Sequence, residues 1–182
     1  MKYIITERQL NLIKESEEKV LYIPTFELFN DDWELLQQFL NKKGNPPYSI
    51  GGNLDLSNTN IKSLGNLTSV SGNLDLYETK IKTLGNLTSV GGYLDLRYSS
   101  IESLGNLTSV GDSLYLNNSE IESLGNLTSV GGNLYLSYTP IKSLENLTSV
   151  GGNLDLRKTP LSKKYSEKEI RQMVNVGSEI YL

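Results

Sequence analysis

A segment of 20 residues repeats in tandem through the middle of this chain, and this repeat constrains the fold more than any other feature. The motif SLGNLTSV, or a close variant of it, begins at Ser63, Thr83, Ser103, Ser123 and Ser143. Five full repeats cover residues 51–150, and a sixth begins at Gly151 and loses the pattern after Leu161. One repeat alone cannot fold, because burying its six apolar side chains contributes about 12 kcal/mol, whereas ordering its backbone costs at least about 20 kcal/mol. The sequence therefore predicts a solenoid in which stacked repeats share one core.

Leucines at alternating positions predict a short strand in each repeat. In the first repeat Leu54 and Leu56 point to the same side, and the Gly51-Gly52 pair before them is typical of a turn. The later apolar residues of the repeat are three positions apart and predict a tight, irregular return path. Stacking then places the strands of neighbouring repeats about 4.8 Å apart in one parallel sheet.

The stretch LDLSNTNI, residues 54–61, resembles the LxLxxNxL core of leucine-rich repeats, and the match recurs at Leu74, Leu94, Leu114, Leu134 and Leu154. The resemblance implies a β-rich (α+β) solenoid with a right-handed coil and a parallel sheet. VGGNLxL is also similar to receptor L-domains, whose coil is built like a β-helix, so the cross-section of the coil stays open. Thr or Ser replaces the family's Asn, and we expect its hydroxyl to bond the backbone of the turn after the strand. These residues are Thr59, Thr79, Ser99, Ser119, Thr139 and Thr159.

Residues 1–49 predict a helical cap on the N-terminal end of the solenoid, where an uncapped core would be exposed. Thr6 and Gln9 form a capping-box pattern that predicts a helix to about Glu18. A second helix is predicted to begin after Asn30 or Asp31 and to end at Gly44, before Pro46-Pro47. Its apolar side contains Leu35, Leu36, Phe39 and Leu40.

Residues 162–182 predict a C-terminal cap after the repeat region at 50–161. Ser166 and Glu169 form a second capping-box pattern, which predicts a short helix through Val174. Residues 175–178 are then expected to form a turn, and residues 179–182 a closing strand.

Composition excludes several functional classes. The chain has no Cys and no His, which excludes disulfides, zinc fingers and Ser-His or Cys-His nucleophiles. A net charge of −4 argues against a binder of nucleic-acid phosphates. No apolar window is long enough to span a membrane or to serve as a signal peptide, and no phosphate-binding or hydrolase motif is present. We therefore expect a cytoplasmic, non-enzymatic protein without cofactor or metal.

The opening YIITERQL resembles the starts of some proteins of large tailed phages, whose genomes also encode short repeat proteins. This resemblance implies a phage or bacterial source, and the cytoplasm of the host for a phage-encoded protein.

Differences between the repeats concentrate on the strand and on the turn after it, whereas the return path is nearly invariant. The varying positions are rich in Tyr, which offers a large and rigid contact area at low entropic cost. The alternative is that Tyr simply suits a half-exposed strand. We take twelve residues as candidate partner-binding residues: Asp55, Asp75, Tyr77, Tyr93, Asp95, Arg97, Tyr98, Tyr115, Tyr135, Tyr138, Asp155 and Arg157.

Asp55, Asp75 and Asp95 occupy the same outward position of successive strands. Neighbouring carboxylates near 5 Å repel by roughly 0.8 kcal/mol in water. Three interpretations are open: Arg97, nearby lysines or solvent compensate the charge, the column attracts a basic segment of a partner, or it holds a divalent cation such as Ca²⁺. The cation is the least favoured, because a flat column does not make oxygens converge on a point.

The sequence favours a monomeric protein-binding module that recognises a partner through the strand face. If the Asp column attracts the partner, the partner has a basic surface. The alternative is a structural or assembly protein, for example of a virion, that contacts its neighbours through its ends. A Ca²⁺-stabilised adhesive module is a third hypothesis.

Overall fold

The repeats stack into a β-solenoid with two parallel sheets, which run side by side along the stack. The computed structural model describes residues 6–15 and 20–182. The predicted solenoid of 20-residue, leucine-rich coils is confirmed, and it is compatible with a leucine-rich-repeat-like fold. Within the described residues, no helix combines the length and the apolar character that crossing a bilayer requires.

The N-terminal segment mixes helices with strands. Its elements are α1 (Glu7–Leu10), β1 (Lys14–Glu15), β2 (Leu21–Ile23), a 3₁₀ helix (Phe26–Phe29), α2 (Trp33–Lys42) and β3 (Tyr48–Ile50). Strands β2 and β3 extend one of the solenoid's sheets, and β1 pairs with β2 in antiparallel orientation. The sequence predicted a purely helical cap, and the strands show that this prediction was incomplete.

The predicted first helix is wrong beyond Leu10. Strand β1 replaces it, because sheet pairing stabilises this short segment more than an isolated helix of a few turns would. Glu18 and the side chain of Gln9, on which the capping box depends, lie outside the described residues.

Helix α2 begins after Asp32, whose carboxylate accepts the N–H of Leu35 at 3.0 Å, and not after Asn30 or Asp31. Those two residues have left-handed φ values of 52° and 54°, whereas an N-cap residue needs an extended backbone. Leu36 and Leu40 are fully buried, as the predicted apolar side requires.

Each repeat contributes one strand to each of two sheets. These strands have two residues, except that the first repeat's strand in the second sheet has four. The strands of the repeat region are β4 (Leu54–Asp55), β5 (Leu67–Val70), β6 (Leu74–Asp75), β7 (Ser89–Val90), β8 (Leu94–Asp95), β9 (Ser109–Val110), β10 (Leu114–Tyr115), β11 (Ser129–Val130), β12 (Leu134–Tyr135), β13 (Ser149–Val150) and β14 (Leu154–Asp155). The even-numbered strands form the predicted sheet, in which Leu54 pairs with Leu74 and Leu114 with Leu134.

The second sheet was not predicted. The LTSV segment forms its strands instead of an irregular return path, with Ser89 opposite Ser109 and Val90 opposite Val110. Threonine hydroxyls support it: Thr108 donates to the carbonyl of Thr88 at 2.9 Å, and the same bond recurs between other coils. The apolar residues here, such as Leu64, Leu67 and Val70, are three positions apart and do not alternate, which explains why the prediction missed these strands.

The C-terminal cap completes the sixth coil with α3 (Pro160–Lys164) and α4 (Glu167–Met173), followed by β15 (Asn175–Val176) and β16 (Ile180–Tyr181). The predicted Ser166–Glu169 capping box and the closing strand are confirmed. The turn predicted from Asn175 is wrong, because Val176 pairs with Val150 and is buried at the end of the core. The C-terminal cap thus adds β16 to one sheet, which has seven strands, and β15 to the other, which has nine.

One apolar core fills the space between the sheets. All the apolar positions of the third repeat are buried in it: Leu94, Leu96, Ile101, Leu104, Leu107 and Val110. The Thr and Ser hydroxyls after the strand donate to the carbonyl three residues earlier at 2.5–2.9 Å, as expected. These bonds satisfy buried carbonyls at the turn and keep the core free of unpaired polar groups.

Glycines permit the coils to approach closely at one corner. A Cβ built on Gly111 would lie 2.0 Å from the carbonyl oxygen of Gly91, and a Cβ on Gly131 or Gly151 would lie 2.1 Å from the coil before it. The backbone N–H of Gly111 meanwhile donates to the carbonyl of Val90 at 2.8 Å. A side chain at this corner would therefore break the contact between coils.

We expect Gly111→Ala to lower the free energy of unfolding by about 2 kcal/mol, because the added methyl group overlaps backbone that cannot move independently. Gly52→Ala is the matched control, since a Cβ there is no closer than 3.6 Å to its neighbours. Urea denaturation of both variants measures the difference. Equal stability of the two variants would contradict the close approach of the coils.

Candidate interaction surface

The outward side of the seven-stranded sheet carries the candidate residues. We call it the variable face: residues 53, 55, 57 and 58 and their equivalents at intervals of 20 residues. Because side chains alternate along a strand, Leu54 and Leu56 enter the core and the residues between them point outward. Successive coils then align Asp55 with Asp75 and Tyr115 with Tyr135.

The Asp residues of this face have a local structural role. One carboxylate oxygen of Asp55 accepts the N–H of Ser57 at 2.9 Å, and Asp75 accepts the N–H of Tyr77 at 2.9 Å. Asp95 and Asp155 make the same bond at 3.0 and 3.1 Å. This Asx-type bond closes the turn after the strand. The sequence analysis missed this role, although turn formation is a usual reason for Asp at such a position.

The residue at position 58, and at each equivalent position of the later repeats, has a left-handed backbone. Its φ is 57° at Asn58 and 60° at Asn118, residues that tolerate this conformation. Tyr98 and Tyr138 adopt it as well, with φ of 56° and 59°, at a strain of about 1 kcal/mol. Their side chains are 53% and 61% exposed, so burial within the chain does not offset this strain.

Two of the Asp residues have buried carboxylates that are neutralised by partly exposed arginines. Asp95 is 4% exposed, and its carboxylate receives bonds from Nε and Nη2 of Arg97 at 3.0 and 2.5 Å. Asp155, 2% exposed, receives bonds from Nε and Nη2 of Arg157 at 2.9 and 2.8 Å. Burial alone would raise the pKa of Asp155, but the hydrogen bonds and charge of Arg157 outweigh burial and lower it. The expected compensation by Arg97 is therefore found at Asp95.

Asp55 and Asp75 have no such partner. Over the parts of the chain that the structure describes, no Lys or Arg makes an ion pair with either carboxylate. Burial raises the pKa of Asp75, and the negative charges of Asp95 and Asp55 raise it further. The N-terminal part of the variable face therefore carries uncompensated negative charge.

Aromatic side chains cluster around Arg97. Its guanidinium lies 5.4 Å from the ring centroids of both Tyr77 and Tyr115. Tyr77 meets Tyr98 edge-on at 5.7 Å, and Tyr115 meets Tyr93 edge-on at 6.3 Å.

Tyr135 completes this cluster by stacking on Tyr115 with an interplanar angle of 10° and a centroid distance of 5.1 Å. We call the connected group the aromatic patch: Tyr77, Tyr93, Arg97, Tyr98, Tyr115 and Tyr135. Seven of the twelve predicted residues, counting Asp95 beneath Arg97, are thus brought together.

The remaining predicted residues lie outside the aromatic patch. Asp55 and Asp75 continue the Asp column toward the N-terminal cap. Tyr138 makes no ring contact with another described aromatic residue. Arg157 lies 5.5 Å from the ring of Tyr181, which the sequence analysis did not name. Aligning the closing strand EIYL with NLYL of the fifth repeat would have placed Tyr181 in the same column.

A metal site receives no support from this arrangement. Among the residues that the structure describes, no group of three acidic side chains converges closely enough to hold a metal ion. The variable face instead offers aromatic edges, hydroxyl groups and carboxylates on a rigid sheet, an arrangement suited to binding a surface.

We expect Arg97→Met to lower the free energy of unfolding by about 2 kcal/mol, because it leaves the buried carboxylate of Asp95 unpaired. The loss is smaller than the roughly 3–5 kcal/mol of a fully buried pair, since the side chain of Arg97 is 41% exposed. The double variant Asp95→Asn with Arg97→Met removes the charge and should recover most of the loss. Urea denaturation tests both, and a double variant no more stable than the single one would contradict this explanation.

Asp75 and Asp155 predict opposite pH dependence of stability. The raised pKa of Asp75 means that its ionised form opposes folding, so Asp75→Asn should melt above the wild type at pH 7. This gain should vanish as the pH falls toward the ordinary Asp pKa of about 4.

The lowered pKa of Asp155 reverses the sign. Asp155→Asn should melt below the wild type at pH 7, and this difference in melting temperature should disappear only below about pH 4. Thermal melts of both variants across this pH range measure these differences. A shift of melting temperature in the same direction for both variants at pH 7 would contradict the opposite pKa shifts of Asp75 and Asp155.

No family model, no curated protein and no solved structure matches this chain. Its function is therefore argued from the geometry and chemistry of the variable face.

Proposed function

We propose that this chain is a non-catalytic protein-binding module that recognises its partner through the aromatic patch of the variable face. Repeat solenoids serve in protein interaction or in structural roles. The observation that carries the choice is the aromatic patch itself, in which Tyr98 is exposed on a left-handed backbone at the position that Asn58 and Asn118 occupy in two other repeats. We also propose that the chain is related to leucine-rich repeat proteins and acts in the cytoplasm of a bacterium, as the sequence resemblances imply.

Strand propensity does not explain the aromatic patch as a whole. It accounts for Tyr93, Tyr115 and Tyr135, which lie on or beside strands. It does not account for Tyr98, because a left-handed turn residue gains nothing from β propensity. Its contact with the ring of Tyr77 leaves Tyr98 53% exposed, and a strained aromatic residue that is largely exposed is a mark of function.

The aromatic patch is prepared for binding before any partner arrives. Arg97 is held by Asp95 and by the rings of Tyr77 and Tyr115, so its side chain has little freedom left to lose. Tyr115 and Tyr135 are likewise fixed by stacking. Pre-ordered side chains strengthen binding because less conformational entropy is lost on docking.

Charge supports a partner with a basic surface. Asp55 and Asp75 lie beside the aromatic patch without ion-pair partners among the described residues. Glu78 is also exposed, next to Tyr77. Carboxylates at the rim of a binding surface favour association with basic groups and discriminate against acidic ones.

Replacing Tyr98 with Asn separates binding from stability. Asn suits the left-handed backbone, so Tyr98→Asn should raise the free energy of unfolding by up to about 1 kcal/mol while weakening partner binding by about tenfold. Tyr138→Asn is the matched control: it relieves the same backbone strain but lies outside the aromatic patch.

The measurement is quantitative affinity capture from a lysate of the bacterial source or host, with wild type, Tyr98→Asn and Tyr138→Asn as baits. The proposal predicts a protein that the wild type and Tyr138→Asn retain and Tyr98→Asn loses. Equal retention by all three baits, or no specific retention by any, contradicts it.

A further inference from the structure

The seven-stranded sheet has an open edge at β4, beside the N-terminal cap. Between coils, the N–H groups of Leu54 and Leu56 donate to the carbonyls of Asn73 and Asp75 at 2.8 and 2.9 Å. The same pattern recurs up the sheet, since Leu74 donates to the carbonyl of Tyr93 at 2.9 Å. Each coil thus receives at least two such bonds from the coil before it.

Strand β4 receives none of these bonds. In residues 6–15 and 20–182, no backbone N–H donates to the carbonyl of Asn53 or of Asp55. In the segment that stacks before the first repeat, the residues beside β4 form the 3₁₀ helix Phe26–Phe29. A helix cannot continue the hydrogen bonding of a parallel sheet. Asp55 is accordingly the exposed member of a column in which Asp95 is buried.

A cleft separates the 3₁₀ helix from this edge. Its volume is about 630 Å³, and its walls include Thr25, Phe26, Glu27, Asn53 and Asp55. Asp31, positioned by the left-handed turn before α2, closes one side. Unpaired strand edges are template surfaces for another extended chain, and the cleft gives such a chain room to approach.

The charge of the cleft selects the kind of chain. Glu27, Asp31 and Asp55 all line it, and no Lys or Arg among the described residues does. Since side chains alternate along a strand, basic residues at every second position of a guest would face these carboxylates together. The backbone edge supplies affinity in this mode of recognition, and the alternate side chains supply specificity.

We propose that the open edge of β4 binds an extended peptide segment with Lys or Arg at alternate positions, which adds a strand to the seven-stranded sheet. The guest's N–H groups bond the carbonyls of Asn53 and Asp55, repeating the bonds between coils. The aromatic patch takes no part in this site, so the two proposals can fail independently.

The test uses the full chain and a capped heptapeptide in which lysine alternates with threonine and valine. The first control peptide has glutamate in place of lysine. The second keeps lysine and has N-methyl groups on the backbone amides that would face β4. We expect the lysine peptide to bind in a fluorescence polarisation titration, and both control peptides to bind at least about tenfold more weakly. In hydrogen exchange, binding should slow the Asp55 amide by a similar factor.

Charge variants of the chain complete the test. Glu27→Gln with Asp31→Asn should weaken the lysine peptide by about tenfold. Glu120→Gln with Glu122→Gln, which removes the same charge from exposed residues of another coil, should leave binding unchanged. Absence of binding, equal binding of the N-methylated peptide, or equal loss in both variant pairs overturns the proposal. The proposal is also overturned if, without peptide, exchange of the Asp55 amide slows as the protein concentration rises. The occupant of the edge would then be a second copy of this chain.

Discussion

Backbone hydrogen bonds between successive coils are the interaction on which the rest of this molecule depends. They repeat every 20 residues and hold both sheets in register, so that like residues stack on like. At the glycine corner the backbones approach so closely that a methyl group on Gly111 would meet the carbonyl oxygen of Gly91. The apolar core follows from this stacking, since no single repeat buries enough surface alone.

The same stacking turns local sequence differences into a surface. Because register is set by the backbone, the outward positions vary without disturbing the core. Substitutions in neighbouring repeats therefore become spatial neighbours, as Arg97 lies over Tyr115 of the next coil and Tyr77 of the previous one. Both binding proposals use this property: one uses the face of the seven-stranded sheet, and the other uses the edge where its ladder stops.

The period and the alternating leucines were sufficient to predict the solenoid and its strand face, and binding by the twelve candidate residues stays a prediction. Compensation by Arg97 was one of three interpretations of the Asp column, and it holds for Asp95, whereas Asp55 and Asp75 make no ion pair among the described residues. The second sheet could not be predicted, because the apolar residues of the LTSV segment are three positions apart and show no strand alternation. The cleft also depends on tertiary structure: Glu27 comes from a 3₁₀ helix without a periodic signal, and only the fold places it opposite Asp55.

The most direct test of the central claim, that the variable face carries recognition, is hydroxyl-radical footprinting of the chain with and without its captured partner. The chain has 11 tyrosines, which react strongly enough to map the contact. The account predicts that Tyr77, Tyr98 and Tyr115 become protected, whereas Tyr165 in the C-terminal cap reacts as before. Protection confined to the caps or to the nine-stranded sheet would contradict it.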